Sequence, residues 1–548
     1  MKIANSKASG LISRKEQEET DTLTRPAATL SRLAGEGRLR AASLCSMCSL
    51  WQILLLFFIA FEAFPSNAQI QQAWVAHYNN GITTGTNQAV KMALDSSGNI
   101  YVTGVSQNAS SKLGYVTIKY APNGKQLWAT RYDSLQYPSA TPAALVLDSS
   151  NNVIVTGSAL TIKYDANGNQ LWTAPYAGSA LACDAAGNTY AAGFGTNFNT
   201  VKLAPPGSNV WLNTYIDVGP TVSQSVLVDS GNNVYVSGLD SYQWIPESES
   251  NPNIGVYAVA LTTIKYGSNG SRTWMASQSD PYDDFNVQIA GAALDSSGNF
   301  FLLANLLSGP GSAFITYKYT SNGSSLWTSF PDNGTGPANG LALDSNENVL
   351  LVGQDAYQYN GSYSYYYSTF KLSSNGSTLW KKKYPQPAFG SSAASSIAVD
   401  SVNNSYVTGY SPGTNSGNDI VTIKYGLNGN QIWLQRYHGP GSGNDAGNAI
   451  AVDNNGNVYV TGYETTAAGG TEIVTIKYSP VSLQRRADGT VILQAQGTNG
   501  ESFDIQASAD LQSWLDLGSA TADTNGLMQF DDTNAPNYPA RFYITSPQ

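Results

Sequence analysis

Residue types that commonly carry catalysis or bind metals are sparse in this sequence. It contains two histidines, His77 and His438, and each stands beside a tyrosine near the end of a predicted strand. Two histidines so far apart in the sequence provide few candidates for the base of a Ser-His-Asp triad and too few imidazoles for a zinc site built on several of them. We interpret both as strand residues, and we predict no catalytic residue, no metal ligand and no cofactor.

Acidic residues offer two further patterns with a chemical meaning. Asp280, Asp283 and Asp284 lie close together, and paired carboxylates can act as acid and base in glycoside cleavage. The run Asp453-Asn454-Asn455-Gly456 has the start of a calcium-binding loop but lacks the glutamate that closes such a loop. We interpret the first group as solvated loop composition and the second as part of the repeat described below.

Aromatic residues in two insertions indicate a binding surface. Exposed tyrosine and tryptophan rings on loops bind sugar rings and peptides well. The alternative interpretation is that these aromatics are only the composition of solvated loops. The candidate ligand-binding residues are Tyr242, Trp244, Tyr357, Tyr359, Tyr363, Tyr365, Tyr366 and Tyr367.

The composition argues against nucleic-acid binding. Only 12% of the residues are charged, and the formal net charge is −10. Nucleic-acid binding requires a basic patch, which an acidic and sparsely charged chain does not provide. We interpret the one basic run, Lys381-Lys382-Lys383, as the solvated edge of an outer strand, where lysines prevent pairing with another chain.

The elements that must position these residues belong to a unit that recurs eight times. Each unit has an apolar strand that ends in Asp, a turn that ends in Asn, and a second strand. A third strand such as 117–120 follows, and a fourth strand carries one Trp. Asn123-Gly124, between strands three and four, predicts a type I′ hairpin turn. The Asp/Asn pairs are Asp95/Asn99, Asp148/Asn152, Asp184/Asn188, Asp229/Asn233, Asp295/Asn299, Asp344/Asn348, Asp400/Asn404 and Asp453/Asn457.

The ends of the repeat indicate how the units are arranged. Successive Asp residues of the units are 36 to 66 positions apart, and four strands in a unit of about 40–50 residues are typical of β-propellers. The eighth unit lacks its Trp strand, and a matching strand appears at the other end, at 74–78. We therefore predict an all-β chain with an eight-bladed β-propeller of four-stranded blades, closed by the N-terminal strand.

The repeat resembles a known bacterial family. The segment Asp-Ser-Ser-Gly-Asn-Ile-Tyr-Val-Thr-Gly at 95–104, followed by Thr-Ile-Lys-Tyr at 117–120, is similar to the "beta-propeller repeat" (SBBP type) of exported and cell-surface proteins. The resemblance covers residues 72–479 and implies fold and location more than chemistry. That family is usually described as seven-bladed, so the prediction of eight blades rests on the count of units.

Both ends of the chain depart from the repeat. Residues 51–61 form a strongly apolar run that is short for a membrane span and typical of a signal peptide. Ser66-Asn67-Ala68 predicts cleavage after Ala68, with an uncleaved anchor as the alternative and Met47 as an alternative start. Residues 484–548 are similar to a small C-terminal module of verrucomicrobial secreted proteins and have the pattern of five or six short strands.

These observations predict three parts: an N-terminal extension with a signal peptide at 1–68, the propeller at 69–480, and a small β-sandwich-like module at 481–548. The expected protein is a monomer that is secreted or on the cell surface, with the periplasm as an alternative. We expect it to bind a glycan or a protein partner without catalysis, to bind no nucleic acid, and to meet the membrane only through the signal segment. The alternative is an enzyme that uses the central funnel, either polysaccharide-active or quinoprotein-like.

Overall fold

The computed structural model describes residues 70–547, apart from 138, 194, 220, 249–250, 280–286, 307–312, 332–335, 360–361, 385–389, 414–416, 498–499, 511 and 525. The side chains of residues 242–258, 357–363 and 546–547 are also outside the description. The predicted signal peptide, its cleavage site and the group at 280–284 therefore lie outside the described residues. Within the part that is described, no helix is long and apolar enough to cross a membrane.

Eight antiparallel four-stranded sheets form the blades of the predicted propeller. Their strands are rich in β-branched and aromatic residues, which favour the extended backbone. Blade 1 contains β2 (Asn87–Leu94), β3 (Ile100–Gln107), β4 (Leu113–Tyr120) and β5 (Gln126–Tyr132); blade 2 contains β6 (Pro142–Leu147), β7 (Val153–Gly157), β8 (Thr161–Tyr164) and β9 (Gln170–Ala174); blade 3 contains β10 (Ala180–Cys183), β11 (Thr189–Ala192), β12 (Phe198–Leu203) and β13 (Asn209–Tyr215); blade 4 contains β14 (Val222–Val228), β15 (Val234–Ser248), β16 (Asn251–Tyr266) and β17 (Arg272–Ser279).

The second half of the ring repeats this order. Blade 5 contains β18 (Val287–Leu294), β19 (Phe300–Leu306), β20 (Ala313–Tyr319) and β21 (Ser325–Ser329); blade 6 contains β22 (Ala338–Leu343), β23 (Val349–Tyr359), β24 (Ser362–Leu372) and β25 (Thr378–Tyr384); blade 7 contains β26 (Ala393–Val399), β27 (Ser405–Pro412), β28 (Asn418–Tyr425) and β29 (Gln431–Tyr437); blade 8 contains β30 (Ala446–Val452), β31 (Val458–Thr465), β32 (Thr471–Pro480) and, from the N-terminal end, β1 (Ile70–Tyr78).

The first strands of the blades form a closed inner ring around a central channel. Each first strand contacts the first strand of the next blade, and β30 of blade 8 contacts β2 of blade 1. Strands alternate in direction within each blade, so the connections between them fall on two faces. The hairpins from strand two to three and the links between blades lie on what we call the upper face. The turns from strand one to two and from three to four lie on the lower face.

The N-terminal strand closes the ring, as the distribution of the units predicted. β1 pairs with β32 over its whole length and is the outermost strand of blade 8. Nε1 of Trp74 on β1 donates a hydrogen bond to the carbonyl oxygen of Pro122 in blade 1, at 3.0 Å. The Trp74 ring also lies against Gly124, where an added Cβ would come within 2.7 Å of a ring carbon. β1 therefore holds the last blade against the first.

The contact between Trp and the next blade recurs around the ring. The indole N–H donates to a carbonyl oxygen in the turn between strands three and four of the following blade, at 2.9–3.3 Å. The glycine of the same turn lies against the ring, where a larger residue would clash. The Trp/Gly pairs are Trp74/Gly124, Trp128/Gly168, Trp172/Gly207, Trp211/Gly270, Trp274/Gly323, Trp327/Gly376 and Trp380/Gly429.

The predicted hairpins between strands three and four are confirmed, but the predicted turn type is wrong. In the Asn123-Gly124 pair only Gly124 has a positive φ, at 83°, and its N–H donates to the Ala121 carbonyl oxygen at 2.9 Å. A register shift accompanies the turn, which is the pattern of a type I turn followed by a left-handed glycine. The N–H of Ala121 donates to the Lys125 carbonyl oxygen at 2.9 Å, so the loop has three residues, whereas type I′ geometry belongs to loops of two.

The Asp/Asn pairs stabilise the turns between strands one and two in all eight blades. Each Asp carboxylate accepts hydrogen bonds from the Asn backbone N–H at 2.8–2.9 Å and from the Asn Nδ2 at 2.7–2.9 Å. In six blades the lysine of the third strand lies within 4.0 Å of the same carboxylate. The shortest of these ion pairs, Lys163–Asp148 and Lys371–Asp344, measure 2.8 Å.

Two three-stranded sheets follow the propeller and form the predicted small β module. Gln71 on β1 connects the module to the closing blade: its Nε2 donates to the Gln496 carbonyl oxygen at 3.0 Å, and its Oε1 accepts from Thr545 Oγ1 at 2.6 Å. The resemblance to the verrucomicrobial module stays a prediction. One sheet contains β33 (Ser482–Arg485), β34 (Val491–Gln496) and β37 (Leu527–Asp532); the other contains β35 (Ser502–Ser508), β36 (Leu515–Thr521) and β38 (Phe542–Pro547), which a 3-10 turn (Ala535–Asn537) precedes.

Candidate functional site

The two aromatic insertions form strand extensions, so their predicted placement on loops is wrong. Tyr242 and Trp244 lie on β15, which continues far beyond the usual second strand and pairs with β16. The remaining candidates lie on the extended hairpin of β23 and β24, because β-branched and aromatic residues that face each other stabilise such pairs. The candidates whose side chains lie outside the described residues are Tyr242, Trp244, Tyr357, Tyr359 and Tyr363.

Three of the predicted ligand-binding tyrosines have described side chains. Tyr367 is fully buried, and its hydroxyl donates to the Val421 carbonyl oxygen of blade 7 at 3.3 Å. It belongs to the core between blades 6 and 7, so the expectation that its ring is exposed is wrong. Tyr365 and Tyr366 are half-buried, and Lys383 Nζ lies 5.3 Å from the centre of the Tyr366 ring. Their role in binding stays a prediction.

The basic run at 381–383 is only in part the solvated edge that the sequence suggested. Nζ of Lys381 lies 2.8 Å, and Nζ of Lys383 2.5 Å, from Oδ2 of the buried Asp355. Lys381 also lies 4.9 Å from the centre of the Phe370 ring. These two lysines neutralise a carboxylate that the sequence pattern did not single out.

Buried carboxylates occupy one equivalent position in blades 4, 6 and 8, two residues after the glycine of the second strand. Asp240 accepts a hydrogen bond from the Tyr215 hydroxyl at 3.0 Å, Asp355 binds the two lysines, and Glu464 accepts from the Tyr437 hydroxyl at 2.5 Å. All three lie toward the upper face, where the second strands end. Aligning the units by the glycine that seven of them carry at the end of the second strand would have revealed this position from sequence.

The channel opens on the upper face in a cavity of about 660 Å³. Its walls come from blades 1, 2, 6, 7 and 8, mostly from the inner ring of first strands. The wall presents amides, hydroxyls and small apolar groups, and the polar side chains are uncharged at neutral pH. The polar lining residues are Gln88, Thr141, Asn339, Gln354, Ser395, Tyr410 and Asn448.

Two amides of this cavity bridge neighbouring blades. Asn448 Nδ2 donates to the Ala89 carbonyl oxygen at 2.8 Å, and Asn339 Nδ2 donates to the Ala394 carbonyl oxygen at 2.8 Å. Both asparagines occupy the extra residue of a β-bulge on a first strand. Among the described residues, none donates a hydrogen bond to their amide oxygens, so these oxygens can accept from a ligand.

Lys91 is the one charged residue on the eight first strands. Its side chain is exposed, although β2 is flanked by the first strands of blades 8 and 2 and backed by β3. The solvent that it contacts is therefore that of the channel. Although its side chain contacts solvent, the surrounding blades desolvate the Lys91 ammonium group and lower its pKa. No ion pair or hydrogen bond to this group occurs within the described part of the chain.

A larger cleft, of about 1030 Å³, lies on the lower face between blades 8 and 1 and the C-terminal module. Asp95, Asp453 and Lys477 from the turn networks line one side, and Gln494 and Gln496 of β34 line the other. Because Asp95 and Asp453 already hold their own turns, we assign this cleft to the docking of the module.

His77 meets two glutamates on the upper side of blade 8, a group we call the seam cluster (His77, Glu464 and Glu472). His77 Nδ1 lies 2.8 Å from Glu464 Oε1 and 3.6 Å from Glu472 Oε1. The three donor atoms lie within 4.8 Å of one another, so this set of residues can hold a metal ion. Sequence analysis missed the cluster because its histidine and its glutamates come from opposite ends of the propeller.

The three side chains of the seam cluster change one another's pKa values. The Glu464 carboxylate raises the pKa of His77. Burial alone would raise the pKa of Glu464, but His77 and Tyr437 together lower it. Burial and the neighbouring Glu464 raise the pKa of Glu472.

A second histidine group lies on the neighbouring blade. His438 Nδ1 lies 3.2 Å from Asp419 and 3.7 Å from Asp445. Arg436 forms an ion pair with Asp419 at 2.7 Å, and Asp445 accepts hydrogen bonds from the backbone N–H groups of residues 439 and 465 at 2.7 Å. The protein itself therefore satisfies these carboxylates.

Comparison with known proteins finds a family whose sequence profile matches one part of the repeat. The sequence profile of the family described as "Beta-propeller repeat" matches residues 433–463, from the fourth strand of blade 7 to the second strand of blade 8. An uncharacterized WD repeat-containing protein of Acanthamoeba polyphaga mimivirus is 25% identical over 385 residues, which cover 63% of this chain. The match spans 26% of the length of that relative.

Solved structures match most of this chain, and one of them reaches a TM-score of 0.50. Sqt1 from Chaetomium thermophilum has a TM-score of 0.50 and 8% identity, and the match covers 76% of this chain and all of the other. The Pan2 WD40 domain of Neurospora crassa has a TM-score of 0.39 and 10% identity, with 76% of this chain and 98% of the other covered. At 8% identity the likeness to Sqt1 concerns the fold alone. The resemblance first drawn from the motif at 95–104 is confirmed by the family match at residues 433–463, and the fold is a β-propeller.

Proposed function

We propose that this chain is a non-catalytic binding protein that acts outside the cytoplasm and takes a glycan with acidic sugar residues at the upper mouth of its channel. The observation that carries the proposal is the cavity wall of amides and hydroxyls with Lys91 as the one charge on the surrounding first strands. The export part of the proposal depends on the apolar run at 51–61.

The neutral wall suits hydroxyl-rich ligands. Sugar hydroxyls donate and accept hydrogen bonds, and amide side chains offer both functions in one plane. The amide oxygens of Asn339 and Asn448 are available as acceptors, and their NH₂ groups are fixed by the neighbouring blade. A site held in this way loses little conformational freedom when a ligand binds.

Lys91 favours an acidic glycan over a neutral one. Lys91 directly follows the cavity-lining Val90 on β2 without lining the cavity itself, and the other residues of the first strands carry no charge. A sugar carboxylate there would form a charge-assisted hydrogen bond, which contributes about 1.5–3 kcal/mol. The half-buried Tyr365 and Tyr366 extend the same face and offer further aromatic surface.

The test is calorimetric titration of the purified chain with an oligogalacturonate and with a neutral maltooligosaccharide. We expect the acidic sugar to bind more tightly, and Lys91→Gln to weaken its binding about 10–100-fold. Rising salt should weaken the wild-type interaction, since part of it is charge–charge attraction. Lys125→Gln, the same substitution on the exposed lower-face turn of blade 1, should leave the affinity unchanged.

Three outcomes would overturn parts of this proposal. Equal affinity in Lys91→Gln and wild type would remove Lys91 from the site. Binding of neither sugar would turn the search to a protein partner, the other ligand class that the sequence suggested. Release of new reducing ends from a polysaccharide would favour the enzymatic alternative.

A further inference from the structure

We propose that the seam cluster of His77, Glu464 and Glu472 binds one divalent transition-metal ion, Zn²⁺ above all, and that this ion fastens the N-terminal strand to blade 8. This proposal is independent of glycan binding at the channel. It rests on the arrangement of the donor atoms, on the residues that orient them, and on a pairing of like charges that a cation would relieve.

The donor atoms lie close to the spacing of ligands around one ion. Zn²⁺ binds imidazole nitrogen and carboxylate oxygen at about 2.0–2.2 Å, which places neighbouring ligand atoms of a tetrahedral site about 3.3–3.6 Å apart. His77 Nδ1 lies 3.6 Å from Glu472 Oε1 and 2.8 Å from Glu464 Oε1, so the ion requires the exposed imidazole to move about 0.5–0.8 Å away from Glu464. Glu464 is fully buried, and its Oε1 faces His77 Nδ1, with which it forms an ion pair when the imidazole is protonated. When the imidazole is neutral, a divalent cation can take the place of that proton, as metal binding to histidine and carboxylate ligands does.

The outer oxygens of both glutamates are held by other side chains. Glu464 Oε2 accepts from the Tyr437 hydroxyl at 2.5 Å, and Glu472 Oε2 accepts from Asn79 Nδ2 at 3.0 Å. Each carboxylate is thereby turned so that its Oε1 faces His77. Metal ligands in proteins are commonly oriented by such hydrogen bonds from outside the coordination sphere.

The two glutamates also face each other directly across a strand pair. Glu464 on β31 is the register partner of Glu472 on β32. Like charges at opposed positions destabilise a sheet, and burial makes the repulsion stronger because water cannot screen it. Among the described residues, no lysine or arginine forms an ion pair with either glutamate. A divalent cation would neutralise both carboxylates at once.

The ligand set selects among metals. One imidazole with two carboxylates suits Zn²⁺, and also Mn²⁺, whereas Ca²⁺ and Mg²⁺ prefer sites made only of oxygen. His77 is 43% exposed, so water can complete the coordination sphere from outside. Because His77 lies on β1 while the glutamates lie on β31 and β32, the ion would link three strands of the closing blade.

The test uses the full chain without a polyhistidine tag, stripped with a chelator and dialysed. We expect one Zn²⁺ per chain by elemental analysis, a higher melting temperature with Zn²⁺ than with Ca²⁺ or Mg²⁺, and an anomalous zinc signal between His77 and the glutamates in a crystal. Tyr437→Phe should weaken Zn²⁺ binding about 10–100-fold, as loss of an orienting bond does. His77→Gln should weaken it more than that.

His438→Gln is the matched control, because His438 lies beside two carboxylates that the protein itself satisfies. We expect this variant to bind Zn²⁺ like the wild type. Zinc bound at less than a tenth of an equivalent by folded wild-type protein would overturn the proposal. An unchanged affinity in His77→Gln, or an equal loss in His438→Gln, would overturn it as well. If His77→Gln fails to fold, Tyr437→Phe and the anomalous signal decide the question.

Discussion

Replacing Trp74 by alanine should lower the free energy of unfolding by about 3–5 kcal/mol, the usual range for truncating a buried tryptophan. The Trp74 side chain is 4% exposed, lies against Gly124, and donates a hydrogen bond to the Pro122 carbonyl oxygen. This substitution removes the contact by which the N-terminal strand holds blade 1. Urea denaturation followed by tryptophan fluorescence and circular dichroism measures the loss.

Leu127→Ala is the control for this measurement. Leu127 lies on the outermost strand of blade 1 and is 49% exposed, so its truncation should change the stability by less than about 1 kcal/mol. A Trp74→Ala protein as stable as Leu127→Ala would show that β1 contributes little to the ring, contrary to the contacts described above.

Asp344→Asn should destabilise the protein by about 3–5 kcal/mol, because it leaves the Lys371 ammonium buried without its counter-charge. The ion pair measures 2.8 Å, and the two side chains are 0% and 1% exposed. Asp453→Asn is a matched control: Asp453 holds the same kind of turn, but within the described residues no lysine lies within 4.0 Å of it. We expect this control to lose only about 1 kcal/mol.

The same ion pair predicts how the stability difference between the wild type and Asp344→Asn depends on pH. Burial would raise the pKa of Asp344, but Lys371 and Asn348 lower it on balance. The folded-state pKa of Asp344 is therefore below the unfolded value of about 3.9, and the stabilisation from its ionised carboxylate is fully present above about pH 3.9. It is lost as the pH falls through the lower folded-state pKa. Urea midpoints of wild type and Asp344→Asn should therefore converge in acid, and a constant gap between them would contradict the role of Asp344.

Sequence alone predicted the elements that repeat. The Asp/Asn turns, the one Trp in each fourth strand, the eight units and the closing strand at 74–78 are all present. These features are local: an Asp and an Asn four positions apart make the same bonds wherever the unit occurs. The turn type was wrong because the loop that contains Asn123-Gly124 has three residues between its paired ends, Ala121 and Lys125, and loops of three favour a type I turn followed by a left-handed glycine.

Features that depend on neighbouring blades were not predictable in this way. His77 looked like an isolated strand residue, yet ring closure brings it to Glu464 and Glu472. Tyr367 looked like part of an exposed tyrosine run, yet its strand turns it into the core between blades 6 and 7. A periodic sequence gives the period of the strands, whereas the position of each unit in the ring decides which side chains meet.

Closure of the ring by β1 is the claim on which both the channel and the seam cluster depend, and hydrogen exchange of the full chain tests it most directly. Because β1 is the outermost strand of blade 8, alternate backbone N–H groups of residues 70–78 donate to β32 and the others face outward. The amides that donate to β32 should exchange much more slowly than an unstructured peptide. Fast exchange of every amide in 70–78, with β31 and β32 still protected, would show that blade 8 has three strands in solution and that the ring is closed in another way.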